Sequence, residues 1–205
     1  SDMLAKKSYD KKELKDLLAK TTGDAGRELM ASWEAYRRHL RELVSEGGPI
    51  RVRNAVIEPL LQRLGYEAIE DAGEVSTREG SENGGWVLFG PGGKLRVWTT
   101  SLGEDLDAPS RRGRAYRFSY LRIAQRVLLA CGERIGLLTN GVELRILVSD
   151  PARVDSQIEI PLESHWKRSR EVPDSYRLVL ALCSPKGIQA LPDLIEKARL
   201  KQTGV

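Results

Sequence analysis

Apolar positions early in the chain recur at helical spacing. Leu14, Leu17 and Leu18 open the pattern, the polar TTGD stretch at 21–24 breaks it, and a second stripe follows at Leu29, Trp33, Tyr36, Leu40 and Leu43/Val44. Steps of three and four residues with charges on the remaining faces predict amphipathic helix across 9–46, ended by Gly47-Gly48-Pro49. In IRVRNAVIEPLLQRLGYE the apolar side is Val52, Val56, Ile57, Leu60, Leu61 and Leu64, with Gly65 at the position that terminates a helix. Pro59 lies inside this pattern and predicts a kink or an early break.

The period then changes. Residues 68–83 are acidic and polar, which reads as loop or weak strand. From Gly84 to Thr100, WVLF and the alternating LRVWTTS flank a GPGGK turn, predicting a hairpin. A polar connection at 104–113 leads to a helix over 114–131. There Tyr116, Tyr120, Ile123, Val127 and Cys131 share one face, and Ser119, Arg122, Gln125 and Arg126 share the other. IGLLTNGVELRILVSD sets two apolar runs around Asn140-Gly141, the signature of a type I′ hairpin with two positive φ angles. A strand near 157–162 and helices at 174–183 and 187–201 complete the order. Helices alternating with hairpins predict an α/β fold, a mixed sheet with helices packed on it.

Composition narrows the class only a little. At 205 residues, 40% hydrophobic and 30% charged, the chain has material for one substantial domain. No apolar run reaches the roughly 20 residues of a membrane span, and no secretory signal precedes the first helix. Two cysteines, Cys131 and Cys183, sit in apolar runs and read as buried free thiols, consistent with a reducing, cytoplasmic setting. With two histidines and no CxxC, a structural zinc site has little to work with. A net charge of +4 singles out no partner.

The most suggestive chemistry is RRGRAYRFSYLRIAQR. Arg111, Arg112, Arg114, Arg117, Arg122 and Arg126 occur without an acid and alternate with Tyr116, Phe118 and Tyr120. Guanidinium groups pair with phosphates and stack on bases, so the segment is a candidate DNA contact, with Arg122 and Arg126 foremost; the plainer alternative is a solvated helix face. Trp86 and Trp98, in the two strands of one hairpin, read as core or as a cross-strand pair before they read as a stacking platform. Glu104, Asp105 and Asp107 could hold a divalent cation through oxygen, although a loop run of acids is usually just solvated. His165 beside Trp166 shows no catalytic partner. There is no phosphate-binding GxxxxGK[ST] loop and no nucleophile elbow, and no cofactor is expected.

Several segments, taken in order, resemble a known family. RNAVIEPLLQRLGYE is similar to the opening helix of the nuclease-like domain at the N-terminus of type I restriction subunits and of fused restriction–methylase proteins in phage defence. In that family a strand pair carries Pro-Asp and then Glu-x-Lys, and a helix leads to a strand ending in a Thr-Asn-Gly turn, followed by an Arg-containing strand. IGLLTNGVELRIL is similar to that last element and PDSYRLVLALCSP to the helix after it, so the resemblance covers roughly residues 52–200. It implies a restriction-endonuclease-like mixed central sheet flanked by helices over 49–205, preceded by a helical extension over 3–48. It also implies a fragment of a larger protein whose later modules include a DNA methyltransferase.

The departures from the family pattern concern its chemistry. In the active family the Asp and Glu coordinate Mg²⁺ and the Lys positions the attacking water. Here Gly85 falls at the aspartate position, Trp98 at the glutamate and Thr100 at the lysine, while Glu58 alone matches an acid of the opening helix. Without paired carboxylates there is no oxygen cage for the metal and no activated water. The expectation is therefore a catalytically inactive nuclease-like domain that binds or positions DNA for a downstream module. A protein-interaction or structural domain, and a nuclease whose ligands have migrated to Glu58 with Glu104, Asp105 or Asp107, remain as alternatives.

Overall fold

The computed structural model describes residues 24–43, 47–109, 118–153, 155–162 and 171–203. Of the sequence expectations, the first helical segment at 9–23, the arginines from Arg111 to Arg117, and the His165-Trp166 pair lie outside these residues.

Helix α1 (Asp24–Glu42) buries the expected stripe, with Leu29, Trp33, Tyr36 and Leu40 inward and Leu43 closing its end. The next helical segment is divided by Pro59. A proline has no N–H to donate and its ring crowds the carbonyl four residues back, so the chain cannot continue as regular α-helix through this point. Instead α2 (Pro49–Val52) widens into a π-turn (Arg53–Ile57), with the Glu58 N–H on the Arg53 carbonyl, and α3 (Glu58–Arg63) resumes. The detour keeps Val56, Ile57, Leu60 and Leu61 all buried. Gly65, at φ 106°, ends the segment as the sequence indicated.

Among the described residues eight strands follow: β1 (Ala68–Asp71), β2 (Glu74–Thr77), β3 (Gly80–Asn83), β4 (Trp86–Gly90), β5 (Gly93–Thr99), β6 (Ile135–Thr139), β7 (Glu143–Val148) and β8 (Ser156–Pro161). Six form one sheet in the order β1-β4-β5-β6-β7-β8, and β2-β3 is a separate hairpin. β1, β4 and β5 run antiparallel in turn; helix α4 (Tyr120–Cys131) then crosses over so that β6 lies parallel to β5, and β7 and β8 add antiparallel. The architecture is thus mixed α/β, a six-stranded mixed sheet flanked by helices. Helices α5 (Asp174–Cys183) and α6 (Pro185–Thr203) pack with α1 and the α2–α3 segment on one face, and α4 lies on the other with Trp98, Leu106, Leu138 and Leu147.

Two local expectations are narrowed and two change. Residues 68–83, read as loop or weak strand, carry β1 to β3. Trp86 pairs in register with Val97, which sends the indoles of Trp86 and Trp98 to opposite faces, so they are two core residues and not a cross-strand pair. The β6–β7 turn is not type I′, because no described residue other than glycine takes a positive φ and only Gly141, at 88°, does so here. Asn140 works through its side chain: Oδ1 accepts from the Val142 N–H (3.0 Å) and the Glu143 N–H (2.8 Å), closing the turn without a left-handed asparagine. Cys131 is exposed at the last position of α4, whereas Cys183 is buried and its thiol is pushed up to about 12 by desolvation. No single described helix is long and apolar enough to cross a membrane.

Candidate functional site: a cleft at the ends of β4 and β5

Parallel pairing brings the C-terminal ends of β5 and β6 together, and the Thr100 N–H donates to the Thr139 carbonyl at 3.0 Å. Gly85, immediately before β4, lies beside them because β4 is antiparallel to β5. Helix α4 and the β2–β3 hairpin rise on one side. The result is a cleft of about 470 Å³ whose lining includes Gly85, Trp98 and Thr100 together. Ends of strands next to a crossover helix are where open α/β sheets commonly take ligands. The three positions that the family resemblance singled out therefore share one concave surface.

Each of the three is engaged in the surrounding structure. Gly85 has φ 68°, and a Cβ built there would lie 2.3 Å from the Val97 carbonyl oxygen, so the backbone has come in where a side chain would stand. Trp98, 6% exposed, packs against Leu106, Val127, Leu128 and Leu138 and donates its indole N–H to the Asn83 carbonyl at 2.8 Å. Thr100 is buried, with its hydroxyl directed at the Ser101 carbonyl (3.3 Å). None of the three offers a carboxylate or an ammonium. Glu58 remains close but not in the cleft: it lies 3.9 Å from Arg53, which bonds Asp71 on the cleft wall and stacks 4.7 Å over the Trp86 ring.

Carboxylates do line this cleft, on a wall the sequence reading left between loop and weak strand. Asp71, Glu74 and Glu82 face it from β1 and the β2–β3 hairpin. Glu82 is buried and accepts from Arg126 Nη1 at 3.1 Å. The other Nη of Arg126 donates to Thr77 Oγ1 (2.8 Å) and lies 3.4 Å from Glu79, and the guanidinium sits 4.2 Å above the Phe118 ring. Arg126, expected on the solvent face of its helix, is thus buried, because the hairpin packs on that face and takes the charge. Arg122 does stay exposed, on the first turn of α4, close enough to Asp155 to oppose the rise that burial gives that carboxyl. Ser119 caps the helix, accepting from the Arg122 N–H.

The acids considered as migrated ligands are committed to other contacts. Glu104 accepts from the Ser101 N–H (3.1 Å) and the Tyr120 hydroxyl (3.0 Å). Asp105 accepts from the Asp107 N–H, and Asp107 is held by both Nη atoms of Arg145 at 2.7 and 2.8 Å. Those bonds, outweighing desolvation, hold the Asp107 carboxyl below the usual aspartate range. Among the described residues no group of three or more His, Cys, Asp or Glu is arranged to hold a metal.

No protein-family model matches the chain, and no curated protein or solved structure matches it significantly.

Proposed function

We propose that this chain is a catalytically silent, restriction-endonuclease-like domain of a DNA restriction–modification or phage-defence enzyme, and that it binds or positions DNA for a methyltransferase or another module of the same polypeptide. One observation carries the reading. Gly85, Trp98 and Thr100 line a single cleft, and at Gly85 the backbone leaves no room for the missing aspartate. Further support comes from chain order, since a helix bearing Glu58, a strand pair, a crossover helix and a strand ending in Thr139-Asn140-Gly141 follow one another as the resemblance requires. The candidate phosphate contacts are Arg122 with Arg111, Arg112, Arg114 and Arg117; Arg126 leaves that set because its charge is spent on Glu82 and Glu79.

Gel-shift titrations with duplex DNA across a salt series test the proposal. Affinity should fall steeply with salt, by a log–log slope of about 0.9 per phosphate neutralised, and Arg122→Ala with Arg117→Ala should reduce that slope for every sequence alike. Absent or salt-insensitive binding would overturn the DNA role. Mg²⁺-dependent nicking that disappears in Glu58→Ala would instead show a working nuclease.

A further inference from the structure

Arg122 and Arg126 stand one turn apart on α4, and the sequence sets them together as the foremost candidate DNA contacts. The structure treats them differently. Arg122 is exposed, whereas Arg126 is 8% exposed and held by the β2–β3 hairpin. Its guanidinium donates to Glu82 (3.1 Å) and to Thr77 Oγ1 (2.8 Å), and it lies 3.4 Å from Glu79. These are oxygen acceptors, two of them anionic, gathered around one planar fork. A phosphate group offers an arginine the same kind of partner.

The hairpin is suited to giving this contact up. It forms a two-stranded sheet of its own, apart from the six-stranded one. Between residues 74 and 83 the sequence has a single hydrophobic side chain, that of Val75, which packs against the Trp98 and α4 cluster. The grip on α4 is otherwise polar, and polar contacts exchange for water or phosphate at small net cost. A segment with so little apolar burial opens locally at low free energy. Its two legs join the main sheet through Gly73, at φ 63°, and through Gly84-Gly85. There the Gly84 N–H donates to the Gly73 carbonyl (2.8 Å) and the Ala72 N–H to the Gly85 carbonyl (3.1 Å), so the legs move as one piece. Closed, the hairpin sets Glu79 and Glu82 where phosphate would bind Arg126. Open, it uncovers Arg126 beside Arg122.

We infer that the β2–β3 hairpin is an autoinhibitory strap, whose Glu79 and Glu82 withhold Arg126 from DNA phosphate until the phosphate displaces them. The inference rests on the DNA-binding reading above and adds a regulated contact to it.

The test follows hydrogen exchange at 74–83 in the full chain, alone and saturated with duplex DNA. Bound DNA should accelerate exchange in the hairpin by about tenfold while β4 to β7 keep their protection. A binding cycle gives the second readout. Arg126→Ala is placed in the wild type and in a loosened chain carrying Glu79→Gln and Glu82→Gln. In the wild type it should weaken duplex binding by about threefold or less, because phosphate reaches Arg126 only by displacing the hairpin. In the loosened chain it should cost about tenfold and lower the salt slope by about 0.9. The general effect of removing two negative charges is common to both arms and cancels. Duplex binding with unchanged or slowed hairpin exchange, or an equal effect of Arg126→Ala in both backgrounds, would overturn the strap and leave the DNA reading standing. Binding by the loosened chain alone supports the strap, whereas no binding by either chain at low salt overturns both. The exchange measurement needs no variant, so it decides even where the loosened chain fails to fold.

Discussion

At Gly85 a single missing atom decides what the cleft can become. A side chain would need a left-handed backbone and would drive its Cβ to 2.3 Å from the Val97 carbonyl oxygen. Gly85→Ala is therefore expected to destabilise the fold by about 2–4 kcal/mol, seen as a lowered Tm, with little change for Ala at the open Gly93 turn. The same geometry predicts that the triple variant Gly85→Asp, Trp98→Glu, Thr100→Lys stays inert in a Mg²⁺ plasmid-nicking assay, because the first change displaces β5; cleavage by it would show that the backbone reopens. Glu133 makes a different kind of commitment. Burial raises its carboxyl, but hydrogen bonds from Arg96 (two at 2.8 Å) and Lys94 outweigh that and hold it below the usual value of 4.5. The folded carboxyl thus holds its proton less tightly than the unfolded one, so acid favours the unfolded chain. Stability from this cluster is complete above 4.5 and is lost as pH falls below it toward the depressed folded value. Melts between about pH 6 and pH 3 should show this slope, and Glu133→Gln should flatten it while lowering Tm at neutral pH, since Arg96 is 7% exposed and keeps a weaker partner.

The β2–β3 hairpin shows why one element escaped the sequence. GEVSTREGSEN has neither an apolar face of period two nor a run of β-branched residues, so the sequence leaves it between loop and weak strand. Its order comes from outside, through Arg126, which reaches from α4 to Glu82, Glu79 and Thr77 across 44 to 49 residues of sequence. The same contact hid Arg126 from the helical-wheel argument, which places polar residues in solvent unless another element arrives to pair them. Arg126→Met keeps the length and removes the charge, leaving Glu82 buried without that guanidinium. A cost of about 3 kcal/mol is expected, confined to the hairpin. Hydrogen exchange at 74–83 should accelerate while β4 to β7 keep their protection; uniform acceleration would show that the hairpin does not open by itself. By contrast the strands at WVLF, IGLLT and ELRILV were legible from the apolar runs that burial on both faces of a central sheet demands, and LRVWTTS from its alternation.

Across the whole molecule, the helical periodicity revealed α1 but not its role. The sequence reading set residues 3–48 apart as an extension. Yet Trp33 packs 4.9 Å from the Tyr176 ring of α5, Ser32 meets the Tyr176 hydroxyl, and the Tyr36 hydroxyl donates to the Gly141 carbonyl at the β6–β7 turn. Leu29, Trp33, Tyr36, Leu40 and Leu43 belong to the same buried cluster as Val56, Leu144 and Tyr176. Spacing along one helix cannot say which distant surface it will cover. At roughly 2 kcal/mol for each large side chain buried, these five contribute on the order of 10 kcal/mol, as much as the whole net stability of an ordinary domain. A chain beginning at Pro49 is therefore expected to lose cooperative unfolding and to bind a hydrophobic dye, even though the sheet and cleft residues are all retained. The loss should reach the cleft: Tyr36 steadies the turn whose Asn140 Nδ2 donates to the Glu104 carbonyl, and Glu104 in turn accepts from the hydroxyl of Tyr120, which lines the cleft. A truncated chain that melts sharply near the intact Tm would make α1 an appendage after all, and would free the cleft from any dependence on it.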